Sequence, residues 1–122
     1  MDQNQYSAEG IALQVLIDEG QWQRLNSELG KEMLREFADE YIQETLESWV
    51  DTDTDPLTLP DAAFKSLSHR SAGAAGTIGF KRLRYCFLCM EHLVDQGNRP
   101  QFVQLMKSIL ADTQAWLSAQ ST

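Results

Sequence analysis

Residues 61–79 read DAAFKSLSHRSAGAAGTIG, and this stretch indicates the class of fold. Apolar and small residues recur at spacings of three and four, which is the period of an α-helix with one face against a core. The predicted core face consists of Phe64, Leu67, Ser71, Ala74, Ala75 and Ile78. A half-buried strand would instead alternate with a period of two. We therefore predict a helix from about Asp61 to Thr77, followed by a turn near Gly79.

The same helical period extends toward the amino terminus. Ser7 is a predicted N-cap for a first helix that ends near Gly20, with Ile11, Val15 and Leu16 toward the core. A short second helix ends before Gly30, and a long amphipathic helix covers about Lys31 to Val50, with Leu34, Phe37, Tyr41 and Trp49 as its apolar stripe. Residues 51–60 are polar and bounded by prolines, which predicts a connecting loop.

Toward the carboxyl terminus the pattern predicts two more helices. One carries Leu83, Phe87, Met90 and Val94 and ends at Gly97, and the last follows Asn98 as its cap. Four long helices with short connections predict an all-α fold, an antiparallel four-helix bundle with one or two additional short N-terminal helices. At 122 residues the chain is expected to form a single domain over residues 1–122.

Charge and hydropathy exclude several classes of function. The net charge of −8 argues against nucleic acid as a partner, and no apolar run approaches the roughly 20 residues of a membrane span. Residues 1–5 lack the features of a secretory signal, so we expect a cytoplasmic location. No second apolar stripe remains for self-association, which predicts a monomer.

Against this acidic background, residues 62–84 hold five basic side chains and no acidic one.

His69 lies within this basic segment and on the side of its helix that faces away from the predicted core. Its neighbours on the helical wheel are Ala62, Lys65, Ser66, Ala72, Gly73 and Gly76. A glycine inside a helix costs about 1 kcal/mol relative to alanine, and close approach of a second molecule is one reason to accept that cost. Small residues also occur where helices pack tightly, and a lone exposed histidine usually has no function. Tight packing does not explain Gly73, which lies on the outer side.

A neutral imidazole is a nucleophile toward phosphorus, and histidine side chains in water are mostly neutral near pH 7. Lys65 and Arg70 are the candidates to offset the charge of a phosphoryl group on His69, and Arg70, at about 100° from His69 on the helical wheel, reaches it only by swinging its long side chain inward. The segment therefore suggests an acceptor of phosphoryl groups, with a docking platform beside it.

Cys86, Cys89 and His92 recur every three residues in the next helix. Successive residues turn by about 100°, so the three side chains fan around the helix and do not converge on one metal ion. We expect buried free thiols and no metal site.

The run from His69 to Gly79 resembles the H-x-x-(K/A)-G-x-(S/A)-x-x-(L/I)-G motif of the histidine-containing phosphotransfer family, in the variant of its Arc-type members. The likeness spans about residues 15–118. It implies that His69 accepts a phosphoryl group from the aspartate of a response-regulator receiver domain and passes it to another receiver. It also implies that Gly73 permits docking and that Gly79 forms the following turn.

In that family the protein is a carrier, not an enzyme, and it has no cofactor of its own. Magnesium and most catalytic groups belong to the receiver domain, and a hybrid sensor kinase is a further candidate partner. Two residues depart from the family's pattern. Many members carry lysine at the position of Ala72, and some carry glutamine at the position of Glu91. Glu91 would either repel the phosphoryl group or orient the imidazole through its other nitrogen.

The alternatives are an interaction module that docks a partner through the same helix without being phosphorylated, and a purely structural or metal-binding bundle. No phosphate-cradling glycine loop follows a strand, and no cluster of acid, base and nucleophile surrounds His69 in the sequence. We therefore expect neither an ATP-dependent kinase nor a self-sufficient enzyme.

Overall fold

The computed structural model describes residues 6–95 and 97–120, and those residues form an all-helical protein, as predicted. The six α-helices in these ranges are α1 (Ala8–Leu13), α2 (Glu19–Leu29), α3 (Lys31–Trp49), α4 (Asp61–Ile78), α5 (Lys81–His92) and α6 (Arg99–Ala119). A 3-10 turn at Pro56–Thr58 lies in the connection between α3 and α4. Residues 1–5, from which we inferred the absence of a secretory signal, lie outside the described part.

Local signals in the sequence set most helix ends. Ser7 caps α1 by accepting a hydrogen bond at Oγ from the backbone N–H of Gly10, at 3.0 Å. Gly79 ends α4 in the left-handed conformation, with φ of 99°. Gly30, with φ of 87°, separates α2 from α3. These positions agree with the predicted caps and turns.

The first helix is shorter than predicted, because it ends at Leu13 and not near Gly20. Residues 14–18 are held against the α4–α5 turn by long-range hydrogen bonds. The N–H of Asp18 donates to the carbonyl of Gly79 at 2.8 Å, and Nε of Arg82 donates to the carbonyl of Gln14 at 2.9 Å. Val15, predicted to face the core, is consequently 56% exposed.

The core lies where α4 and α5 pack against each other, with α6 packed on α5 and α3 packed on both α4 and α6. Trp49 joins these layers, because its ring lies 5.5 Å from those of both Phe64 and Phe87. The turn at residues 79–80 sends α5 back along α4, so the two helices run antiparallel. This hairpin brings the end of α5 beside the middle of α4.

Arg99 is a buried cation at the start of α6 and is only 2% exposed. Its guanidinium donates to the carbonyls of Leu57 and Leu59 and to Oδ1 of Asp61, and it lies 4.4 Å from the centre of the Phe64 ring. These contacts tie the loop before α4 to α6. They anchor the helix that carries His69 at its amino-terminal end.

No helix among residues 6–95 and 97–120 combines the length and the apolar character needed to cross a lipid bilayer.

Candidate functional site

The core face of α4 differs from the predicted one by a rotation of roughly 50° about the helix axis. The buried residues of the helix are Phe64, Ser68, Ala72, Ala75 and Ile78. Ala74 is exposed, although it was predicted to face the core. Ala72 is only 2% exposed, so its predicted place on the open face beside His69 is wrong.

Ser71 helps to explain this rotation. Its carbonyl accepts a hydrogen bond from Tyr41 Oη at 2.9 Å, and its Oγ accepts one from Trp49 Nε1 at 3.1 Å. Both donors lie on α3, and Tyr and Trp polar groups usually find partners when they are buried. These two bonds hold Ser71 at the α3 side of the helix, and the next residue, Ala72, is buried in the core.

His69 remains on the surface after the rotation, with 71% of its side chain exposed. Its Nδ1 lies 3.0 Å from Oε2 and 3.1 Å from Oε1 of Glu91, which reaches across from α5. An ionised carboxylate can only accept hydrogen bonds, so this geometry assigns the proton to Nδ1. No other hydrogen bond to the ring occurs among the described residues. In the neutral ring, Nε2 therefore keeps its lone pair.

Glu91 also lies close to a second imidazole. His92 Nε2 is 3.5 Å from Glu91 Oε1, and the His92 ring stacks on Tyr6, with ring centres 5.3 Å apart. Four fifths of the Glu91 side chain is buried between these neighbours. From the sequence, His92 was considered only as a metal ligand, and sequence periodicity contains no signal for its stacking on Tyr6, because that contact depends on the N-terminal segment folding over α5.

The small residues predicted near His69 fall into two groups. Ala62, Ser66 and Gly73 are exposed, and a Cβ built at Gly73 would have no atom within 4 Å apart from its own local backbone. Gly76 is half-buried beneath Arg84, because a Cβ there would lie 2.8 Å from Arg84 Cδ. The helix surface is therefore open one turn beyond His69 and covered by Arg84 at its next turn.

The two predicted cations lie on different flanks of α4. Lys65 is exposed one turn before His69, on the same side of the helix, and has no side-chain hydrogen bond or ion pair within the described residues. Arg70 instead lines a small cavity with Glu44 and Ser48 of α3. The structure therefore brings Glu91 to the imidazole, leaves Lys65 within a turn of it, and places Arg70 toward α3.

A cavity of about 460 Å³ begins at Gly73 and extends to the α4–α5 turn. Its lining includes Gly76, Thr77, two basic residues, Lys81 and Arg84, and one acidic residue, Asp18. Neither Lys81 nor Arg84 was predicted from the sequence as a site residue. The excess of basic residues in 62–84 was the available signal, but only the hairpin shows that both cations adjoin the glycines of α4.

An apolar groove of about 320 Å³ lies on the other flank of α4, against α3. Phe37, predicted on the core stripe, is 46% exposed and forms one wall of this groove. Ala74, Thr77 and Ile78 form the α4 side, and Glu40 and Glu44 are among the α3 residues that line it. The open helix face is thus flanked by a basic cavity on one side and an acidic, apolar groove on the other.

The cysteines lie away from this surface, in the core. Burial raises the pKa of the Cys86 thiol to about 12 and that of the Cys89 thiol to about 11, so both stay protonated near neutral pH. Across residues 6–95 and 97–120, no three histidine, cysteine, aspartate or glutamate side chains are grouped so as to hold a metal ion.

Comparisons with protein-family models, with curated proteins and with solved structures found no match to this chain.

Proposed function

We propose that this protein is a histidine phosphotransfer protein of a phosphorelay. His69 accepts a phosphoryl group from the aspartate of one response-regulator receiver domain and passes it to another. The proposal includes the family's architecture, with α3, α4, α5 and α6 as an antiparallel four-helix bundle and α1 and α2 as its short N-terminal additions. The protein acts as a stoichiometric carrier in the cytoplasm and as a monomer.

One observation carries the proposal: an exposed imidazole is held at Nδ1 by the Glu91 carboxylate while Nε2 has no hydrogen-bond partner among the described residues. A nucleophilic histidine needs one nitrogen fixed as a donor and the other available as a lone pair. The open backbone at Gly73, about 6 Å along the helix axis, leaves room for a second protein.

The transfer step balances without an added base. The Nε2 lone pair attacks the phosphorus of an aspartyl phosphate, a P–N bond forms, and the P–O bond to the aspartate breaks. The aspartate leaves as a carboxylate, and the imidazole keeps its Nδ1 proton. The product is a phosphorylated imidazolium whose positive charge faces Glu91.

Of the two roles that the sequence left open for Glu91, the proposal assigns it the orienting one, and the contact of its carboxylate with Nδ1 supports this choice. In this role it selects the tautomer and stabilises the imidazolium, as a carboxylate does behind a metal-bound or catalytic histidine. Lys65, one turn before His69, is the nearest exposed cation on that side for the phosphoryl oxygens. Arg70 faces α3 and has a smaller share in this role.

The receiver domain supplies the remaining chemistry. Magnesium on that domain neutralises the phosphoryl oxygens during transfer, because phosphoryl transfer is catalysed mainly by positioning and charge stabilisation. Ala62, Ser66 and Gly73 lie on the face where it docks, and Gly76 lies at the edge of this face under Arg84.

The test is to mix the protein with a panel of receiver domains carrying labelled aspartyl phosphate, with magnesium present. We expect acid-labile, base-stable label on the protein, and none on the His69→Gln variant. The matched control is His92→Gln, which removes the neighbouring imidazole and should keep the label. Phosphoramidate, a small phosphoryl donor that needs no docking, tests the imidazole independently of the partner.

Two results would contradict the proposal. Label that survives in the His69→Gln variant would assign the chemistry to another residue. Stable binding of receivers with no transfer from any of them, and no reaction with phosphoramidate, would favour the docking module that is not phosphorylated.

A further inference from the structure

The platform beside His69 has two rims of opposite charge. The cavity on one side of the exposed α4 residues is lined by one acidic residue, Asp18, whose side chain caps α2. Lys81 and Arg84 of α5 border the same cavity and leave it with a net positive charge, and Glu40 and Glu44 of α3 border the groove on the other side. All four side chains are exposed. Within residues 6–95 and 97–120, none of the four has a side-chain hydrogen bond or ion pair.

The dimensions of this surface suit one protein footprint. Packed helices lie about 8–10 Å apart, and α3 and α5 both pack beside α4 in a ring that α6 closes, so the axes of the two helices that carry the rims are separated by roughly 11–14 Å. A standard interface covers about 800 Å² on each partner, which is wide enough to span both rims at once. A small molecule in one cavity would contact one rim alone.

The region between the rims has the character of an interface centre. It contains the backbone at Gly73 and the small side chain of Ala74, and the half-exposed ring of Phe37 adjoins it on the α3 side, in the groove with Glu40 and Glu44. Interfaces commonly place apolar and aromatic groups at the centre and charged groups at the edge. Phe37 adds an aromatic anchor of the kind that contributes much of the binding energy.

Building on the proposed function, we propose that the two rims fix the orientation of the docked receiver domain. The receiver presents acidic side chains to Lys81 and Arg84, and basic side chains to Glu40 and Glu44, with an apolar patch over Phe37. If the receiver were rotated by 180° about the perpendicular to this surface at His69, its acidic side chains would face Glu40 and Glu44, and its basic side chains would face Lys81 and Arg84. Charges at an interface edge act mainly on the association rate and on the choice of partner.

The aliphatic part of Arg84 contributes to this arrangement. Its Cδ occupies the space above Gly76 where a side chain would otherwise stand. Because Gly76 has no side chain, the Arg84 side chain can lie directly against the α4 backbone. In this position Arg84 lines the cavity and leaves the backbone at Gly73 uncovered. Gly76 thus makes room for the Arg84 side chain of the basic rim, whereas Gly73 leaves the surface beside His69 open to a partner.

The experiment measures kcat/KM for phosphoryl transfer from the receiver that reacts fastest with the wild-type protein. The charge reversals are Arg84→Glu on the basic rim and Glu40→Lys on the acidic rim. The controls are Lys107→Glu and Asp112→Lys, which make the same changes of charge on α6, a helix that packs on α5 and α3. Lys81→Glu replaces Arg84→Glu if the packing over Gly76 alters the thermal melt.

We expect each rim reversal to lower kcat/KM about tenfold at low salt, mainly through KM, and each α6 control to change it less than about twofold. The defect should shrink in 0.5 M NaCl, and the rate with phosphoramidate should stay at the wild-type value. The orientation proposal is overturned if either rim variant transfers as fast as its α6 control, or faster, while the wild-type protein transfers normally. If the wild-type protein accepts phosphate from neither receivers nor phosphoramidate, the proposed function itself fails, and this inference fails with it.

Discussion

Glu91 Oε2 lies 3.0 Å from His69 Nδ1, across the interface between α5 and α4. This contact joins two residues that are 22 positions apart in sequence. It exists because the turn at residues 79–80 brings α5 back antiparallel to α4. It also decides which of the two ring nitrogens the carboxylate contacts, which the sequence leaves open.

The role of Glu91 predicts a graded response to substitution. Glu91→Ala removes both the acceptor and the charge at Nδ1, and we expect phosphoryl acceptance to slow by about tenfold, equivalent to about 1.4 kcal/mol in the barrier. Glu91→Gln keeps an oxygen acceptor, and we expect a loss of less than about threefold. Nitrogen NMR of the imidazole should show the Nδ1–H tautomer in the wild type and in Glu91→Gln, and a mixture of tautomers in Glu91→Ala. Equal rates in all three proteins would remove Glu91 from the mechanism.

The open space at Gly73 predicts opposite effects on stability and on docking. Gly73→Ala should raise the free energy of unfolding by up to about 1 kcal/mol, because the new Cβ meets no atom within 4 Å and alanine is the better helix former. Gly73→Leu should fold equally well but transfer from a receiver at least about tenfold more slowly, because its side chain fills the docking surface. Thermal melting and transfer kinetics measure the two effects, and phosphoramidate is the control that bypasses docking. A Gly73→Leu protein with the wild-type rate of transfer would contradict the docking surface.

Gly79 should be far less tolerant than Gly73. Its φ of 99° is a conformation that residues with a side chain rarely adopt, and a Cβ there would lie 3.2 Å from the carbonyl oxygen of Asp18. We expect Gly79→Ala to lower the free energy of unfolding by about 1–3 kcal/mol. Urea denaturation measures this loss, and Gly73→Ala is the matched control. Equal stability of the two variants would mean that the turn does not constrain the hairpin.

The contacts of Arg99 predict that the loop before α4 depends on one guanidinium. Arg99→Ala should destabilise the protein by about 2–4 kcal/mol, because two carbonyls and the Asp61 carboxylate lose their donor. Arg99→Lys keeps the charge but not the forked geometry, so about half of the loss should remain. Chemical denaturation gives the free energies, and limited proteolysis in residues 51–60 reports on the loop. Unchanged proteolysis in Arg99→Ala would show that the loop is held by other contacts.

The raised pKa values of Cys86 and Cys89 predict a loss of stability in alkali. A thiol with an ordinary pKa of 9.0 that rises to about 11 or 12 on folding keeps its proton longer in the folded state. Unfolding then releases a proton between about pH 9 and pH 11, so the free energy of unfolding falls as the pH rises through that range. We expect the drop in melting temperature from pH 8 to pH 10.5 to be smaller in Cys86→Ala and Cys89→Ala, by about 5 °C. Parallel curves for the variants and the wild type would contradict buried thiols.

Helix identity was predictable because it rests on local chemistry. The three-and-four spacing of apolar residues, the Ser7 cap and the glycines at 30 and 79 act within a few residues of one another. The predicted end of α1, near Gly20, was wrong because contacts distant in sequence determine where this helix stops. The spacing of Ile11, Val15 and Leu16 suggested a helix through residues 14–18, but this segment instead makes hydrogen bonds with Gly79 and Arg82, which lie more than 60 positions along the chain.

The site shows the same division. The sequence by itself determined that His69 stands on the exposed side of a helix that also carries glycines, because helical geometry places residues on faces wherever the helix later packs. Only the tertiary structure decided how that helix is turned, which buries Ala72 and exposes Ala74, because the rotation follows from the packing of α4 mainly against α5 and to a smaller extent against α3. Only the fold, likewise, brought Glu91 to one ring nitrogen and Arg84 over Gly76, since contacts across a helical hairpin depend on its register and not on the residues of either helix alone.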